Sequence, residues 1–259
     1  MNLNIDKYGG LTIVPIRCGS HYGTAFYVGK TQLMTATHIL KSHINNPETV
    51  NIEVLVGTKW ERCSIAAKFP PADITLLNCA VESVDGDFLE LLASEFFDGQ
   101  DLKVIGYPKE IGNGIDYFGI DIKSIRELND NSSRGFDIVV LRTDPLALAS
   151  YNGFSGSPVF NHKGKVIGVA TDQFYNTLSY ASIKSIKNRL EFYKVRVKAN
   201  SESYDITEYG LGRAQELLER KIKKAGERYS PETHVDNNDL NKKLLAFCKV
   251  GSDDKHKLA

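Results

Sequence analysis

What the chain lacks narrows what it can do. Its 32 basic and 32 acidic residues leave no net charge, so no basic field draws it to nucleic acid. No apolar run approaches the roughly 20 residues that a membrane-crossing helix needs. The opening residues, Met1-Asn2-Leu3-Asn4-Ile5-Asp6-Lys7, do not show the basic-then-apolar order of a secretory leader. There are only 4 cysteines, Cys18, Cys63, Cys79 and Cys248. None is spaced C-x-x-C and none sits in a His cluster, which argues against zinc. Cys18 and Cys79 end apparent strands and read as buried free thiols, the usual fate of intracellular cysteine. A cytoplasmic location is expected, with no nucleic-acid and no membrane partner. The chain has no G-x-x-x-x-G-K-[ST] loop, so it carries no P-loop phosphate cradle.

What is present describes a folded chain with two textures. At 259 residues, 42% apolar and 25% charged, it is long enough for one sizeable folded unit plus an appendix. Residues 10 to 200 read mostly as strands and turns. Candidate strands are Ile13 to Cys18, Thr24 to Val28, Leu33 to Ala36, Val50 to Val56, Ile65 to Phe69 and Ile74 to Cys79. Gly86 to Asp101 reads as a link with some helix. A second set of strands opens at Leu102-Lys103-Val104-Ile105-Gly106-Tyr107-Pro108 and continues at Asp137 to Leu141. Val159-Phe160 and Lys165 to Ala170 flank a hairpin turn at Asn161-His162-Lys163-Gly164, and Ser182 to Lys194 reads as a closing helix. From about residue 201 the period changes. Leu211, Ala214, Leu217, Leu218, Ile222 and Ala225 recur at helical spacing, and Glu216–Arg220 and Glu219–Lys223 are supporting pairs four apart. A second helix is expected from Asp239 to Cys248. The expected domains are 1–200, with strand sets at about 10–100 and 101–195, and a helical extension or connector at 201–259.

Three short segments carry chemistry. They are Thr35-Ala36-Thr37-His38, then Ala72-Asp73-Ile74-Thr75-Leu76-Leu77, then Asn152-Gly153-Phe154-Ser155-Gly156-Ser157-Pro158. A serine hydroxyl is a weak nucleophile at neutral pH and needs a neighbouring base to take its proton. His38, after a β-rich run, suits the base. Asp73, just ahead of an apolar strand, suits the carboxylate that fixes the imidazole tautomer. Ser155, between glycines, suits the nucleophile. Gly153 lets its own N–H and that of Ser155 converge on one point, where a tetrahedral intermediate places its negative oxygen. The order His, Asp, Ser belongs, among the unrelated folds carrying this triad, to the chymotrypsin type.

On these residues the chain resembles the trypsin-like serine proteases, in particular the compact, disulfide-free bacterial kind typified by the high-temperature-requirement proteases. Gly23-Thr24-Ala25-Phe26-Tyr27-Val28 and the G-Y-P run at 106–108 resemble the same family's strands. The resemblance implies a mainly β fold: two six-stranded antiparallel β-barrels of chymotrypsin type, here followed by the C-terminal helical extension, with the site in the cleft between barrels. It implies a serine endopeptidase with catalytic residues His38, Asp73 and Ser155, an oxyanion hole from Gly153 and Ser155, and no metal or cofactor. The strand edge Thr171-Asp172-Gln173 would pair with the backbone of a protein or peptide substrate. By the same alignment Ala149 lies at the base of the specificity pocket and Leu178 on its opposite wall, which suits a small or apolar side chain. Asp172 at the lip would instead attract a basic one.

The chain also departs from the pattern. Secreted trypsins carry Asp before the nucleophile, to pair with a newly cut N-terminus; here that residue is Phe154. They carry Cys after the histidine; here it is Ile39. Ser157 replaces a glycine, as in the bacterial branch. An apolar ring cannot form the activating ion pair, so regulation by assembly is the expected alternative. A further resemblance lies at Gly226-Glu227-Arg228-Tyr229-Ser230-Pro231-Glu232, similar to the R-Y-[ST]-P-E motif of bacterial signal-transducing ATPases of antiviral defence, some with a trypsin-like effector at the N-terminus. It implies that this chain is such an effector, joined through residues 201–259 to a larger polypeptide or a homo-oligomer; the polar ending at Ser252 to His256 fits a truncation. Two rivals share the fold: a catalytically silent peptide-binding module, and an esterase using the same triad.

Overall fold

The computed structural model describes residues 12–83, 87–94, 100–109, 116–129, 137–143, 152–174 and 177–199, with side chains described outside 123–143 and 172–177. The chain divides into two units, Met1–Ser201 and Glu202–Ala259. The two helices expected after residue 201 and the R-Y-S-P-E segment lie outside the described residues.

Six strands, β1 (Ile13–Cys18), β2 (His21–Tyr27), β3 (Gln32–Ala36), β4 (Ile52–Val56), β5 (Lys59–Phe69) and β6 (Ile74–Cys79), form a closed antiparallel barrel in the order β1-β2-β3-β6-β5-β4. Closure leaves no strand edge open. β1 and β6 coincide with the expected strands. β5 is longer than expected, because its exposed half, Lys59 to Ser64, pairs with β4 and β6 without showing apolar alternation.

The remaining strands are β7 (Leu91–Ala93), β8 (Asp101–Gly106), β9 (Phe118–Asn129), β10 (Asp137–Thr143), β11 (Pro158–Phe160), β12 (Val166–Phe174), β13 (Thr177–Ser182) and β14 (Val197–Ala199). They form a sheet in the order β11-β8-β9-β10-β13-β12-β7-β14, and β11 also pairs with β12. The described part of the link expected to be partly helical contributes the strand β7. Leu89 and Leu91 are buried, and β7 runs parallel to both β12 and β14. Glu90 beside it accepts from Lys165 and Lys198, which hold its carboxyl below the usual carboxylate range.

The period of two along each strand sorts the apolar residues into three layers. Val14, Ile16, Ala25, Leu33 and Leu77 fill the closed barrel. Leu102, Val104, Ile120, Val159, Leu178 and Tyr180 pack inside the second sheet. Phe26, Met34, Ile74 and Leu76 from the barrel meet Ile105, Tyr107, Phe160 and Val169 from the sheet in the layer between. The helix α1 (Ile183–Phe192) closes that middle layer with Ile183, Ile186 and Leu190. Ser182 caps its start by accepting from the Lys184 N–H at 3.2 Å.

Candidate active site

His38 and Asp73 are brought together by two turns that leave the barrel at one end. β3 ends at Ala36, and a 3₁₀ turn, Thr37–Leu40, carries His38 out of the strand. Ile39 and Leu40 pin that turn by burying themselves in the barrel. A second 3₁₀ turn, Pro70–Ala72, delivers Asp73 in the left-handed conformation, φ 53°. Aspartate is among the few side chains that adopt this region readily. From there Asp73 holds His38 at two points. Its Oδ1 accepts from the His38 backbone N–H at 3.0 Å, and its Oδ2 lies 2.6 Å from His38 Nδ1. Its own carbonyl accepts from the Thr37 N–H at 2.7 Å. A carboxylate only accepts, so Nδ1 carries the proton and Nε2 is left as the basic nitrogen. Both side chains are about 30% exposed, His38 at 29% and Asp73 at 30%, so the pair is reachable from solvent.

Ser155 comes from the other sheet, on the turn that precedes β11. Backbone hydrogen bonds fix this turn against both sheets: Thr24 N–H to the Ser155 carbonyl at 2.8 Å, and Gly156 N–H to the Ala170 carbonyl at 2.7 Å. Gly153 and Gly156 have φ of 100° and 85°. A Cβ on Gly153 would overlap the Tyr107 carbonyl, and one on Gly156 would overlap the Thr24 carbonyl and crowd Ala36, the last residue of β3. Only glycine fits either place. Gly156 therefore seats the serine turn beside the strand end that leads to His38. Among the described residues no acceptor takes the N–H of Gly153 or of Ser155. The Ser155 hydroxyl donates to the Thr171 carbonyl at 3.3 Å rather than to His38. Phe154 is fully buried in the second sheet's core, which anchors the turn from below.

Thr24, to which sequence reasoning gave no role of its own, is the hub of this arrangement. Its hydroxyl donates to the Gly153 carbonyl at 2.7 Å and accepts from the Tyr107 N–H at 3.0 Å. Its own carbonyl accepts from the Thr35 hydroxyl at 2.7 Å. One fully buried side chain thus ties β2 to the turn bearing Ser155 and to the end of β8.

The other expected site residues are placed unevenly. Thr171 is buried on β12, and its carbonyl meets Ser155. Asp172 lies on the same strand, where the pairing with β13 shifts register between Ala170 and Gln173; its side chain lies outside those described. Leu178 is 2% exposed and packs in the second sheet's core. Ala149 lies outside the described residues. A concavity of about 260 Å³ lined by Arg17, Tyr22, Val50 and Glu53 shares no wall with His38, Asp73 or Ser155. Arg17 there is already engaged, with Glu53 at 2.8 Å and over the Trp60 ring at 4.1 Å. Among the described residues no group of His, Cys, Asp and Glu could hold a metal.

The fold is shared with solved structures of other proteins. The Rv3671c protease of M. tuberculosis in its inactive form is similar with a TM-score of 0.57 and 20% identity, covering 75% of this chain and 93% of that one. Its active form gives 0.59 and 20%, covering 73% and 84%. Deg5 gives 0.57 and 17%, covering 76% and 96%. At such identities the likeness establishes the fold. No curated protein is significantly similar in sequence. The profile of the trypsin-like peptidase domain, however, matches residues 23–169, more than half of the chain. The chain belongs to the trypsin-like peptidase family.

Proposed function

We propose that the chain is a serine endopeptidase. Ser155 attacks the scissile carbonyl, His38 Nε2 takes its proton and later returns one to the leaving amine, and Asp73 holds His38 in the required tautomer and stabilises the imidazolium. The Gly153 and Ser155 N–H groups receive the oxyanion. The observation that carries this reading is the 2.6 Å contact of Asp73 with His38 Nδ1, which leaves the opposite nitrogen basic, beside a turn on which two N–H groups are claimed by no described residue. One such donor is worth about 2.7–4 kcal/mol of transition-state stabilisation in another serine hydrolase. The double pairing of β11, with β8 and with β12, supports reading the second sheet as the family's second barrel.

Regulation by assembly belongs to the same proposal. The contact of the Ser155 hydroxyl with the Thr171 carbonyl supports a resting arrangement, from which substrate or a neighbouring subunit turns the hydroxyl toward His38. The R-Y-S-P-E resemblance supports a role as the effector of a larger antiviral assembly, with the helices after residue 201 as the connector. The test is cleavage of a diverse peptide library by the wild type and by Ser155→Ala, each dilute and concentrated. Cleavage that disappears with Ser155 and rises with concentration is expected. Cleavage that survives Ser155→Ala would overturn the assignment of the nucleophile, and turnover of esters without peptides would favour the esterase.

A further inference from the structure

The chemistry left unused by the active site gathers in the closed barrel, where β5 and β6 place two free thiols opposite each other. Cys63 and Cys79 are direct partners in the β5–β6 ladder, and both are unbridged. Directly opposed residues of antiparallel strands have Cα atoms about 4.5 or 5.5 Å apart, depending on the kind of pair. Both values fall inside the 4.4–6.8 Å that a disulfide spans. Opposed Cβ atoms lie about 4.5–5.5 Å apart, at or just beyond the 3.5–4.5 Å of a relaxed bridge. A small approach of the strands closes the bond, and a bond under such tension is readily reduced. Opposed residues also point to the same face, and Cys79, Cys63 and Tyr27 share the barrel interior. Cys63 is half-buried and Cys79 is 4% exposed, so a small oxidant reaches the opposed pair from the side of Cys63.

We propose that Cys63 and Cys79 form a reversible oxidation site, converted by a hydroperoxide to a cross-strand disulfide. The thiolate of the pair attacks the peroxide oxygen and expels hydroxide, giving a sulfenic acid. The second thiol attacks that sulfur, the S–S bond forms, and the departing oxygen leaves as water. Two thiols are oxidised by two electrons while hydrogen peroxide becomes two waters. The pair favours one thiolate over two thiols, because the hydrogen bond from Cys63 draws the Cys79 thiol down, helped by Val81 and the Tyr27 hydroxyl, while the same contact pushes the Cys63 thiol up. Cys18 has no such arrangement. It is fully buried, and its ladder partners are His21 and Ile52.

The test is peptide mapping of the full chain after hydrogen peroxide, without reduction. The expected result is one cross-linked pair of peptides joined through Cys63 and Cys79, lost on treatment with dithiothreitol, with two fewer thiols open to alkylation after unfolding. In Cys63→Ser that link is absent and Cys79 proceeds to sulfinic acid. The wild-type map stands on its own if the variant fails to fold. Retention of all thiols at a peroxide dose that oxidises free glutathione, a bridge joining other cysteines, or sulfinic acid at Cys63 or Cys79 of the wild type without the cross-link would each overturn the proposal.

Discussion

Asp73 shows how one residue is fitted to its place by backbone and side chain together. Its left-handed φ of 53° suits Asp and Asn and strains most other side chains. Asp73→Asn therefore keeps the turn and changes only the partner of His38 Nδ1. Peptide turnover is expected to fall by about 10⁴-fold, as that exchange does in the serine-protease template, with the urea midpoint unmoved. Thr24→Val is expected to do the reverse and strike structure first. It removes the donor to the Gly153 carbonyl and the acceptor of the Tyr107 N–H, both buried. The cost is about 1–3 kcal/mol for each group stripped of its bond, read as a lower urea midpoint, with activity falling as the Gly153 N–H drifts. His38, Asp73 and Ser155 are legible in the sequence as candidates because each sits in a short local motif whose residue types have few other uses. Thr24 is not, because its partners lie 129 and 83 residues away and nothing local marks a threonine as a hub.

Among the elements, those legible in sequence are the ones whose apolar period is local. β1 and β6 are dense apolar runs, buried on both faces, and their ends match expectation. β7 escapes such reading because its three residues become a strand only by pairing in parallel with β12 and β14. β9 also escapes it: its twelve residues mix charge with Ile120 and Ile122, and its partners β8 and β10 are what make it a strand. α1 begins at Ser182, where the sequence places the closing helix, and Ser182 caps it. Val195 N–H returns to the Leu190 carbonyl at 3.1 Å, and Lys194 N–H to that of Glu191 at 2.9 Å. This is a Schellman ending, whose left-handed position is usually glycine. Here Lys194 occupies it with φ 62°. Lys194→Gly is expected to raise stability by roughly 0.5–1 kcal/mol, the relief of a left-handed side chain less the entropy of glycine. A lower thermal midpoint would show that the lysine side chain makes a compensating contact.

For the whole molecule, two sheets share one apolar layer, and the candidate site spans them. His38 and Asp73 come from the barrel, and the turn bearing Ser155 comes from the sheet. Tyr107, whose hydroxyl donates to the Ile13 carbonyl at 2.8 Å, and Thr24 bridge the two. This arrangement is partly legible in the sequence, since the order His, Asp, Ser with a long interval before serine already splits the site between two halves of the chain. The state of the serine is not legible, because the choice between Thr171 and His38 as partner of its hydroxyl is a side-chain torsion. The central claim is that His38 makes Ser155 nucleophilic. The most direct test is labelling by a fluorophosphonate, mapped by mass spectrometry in the wild type, His38→Ala and Ser155→Ala, at low and high protein concentration. The account predicts a single adduct on Ser155 of the wild type, strongly diminished without His38. No adduct on Ser155 at either concentration, or one that forms equally well without His38, would contradict it.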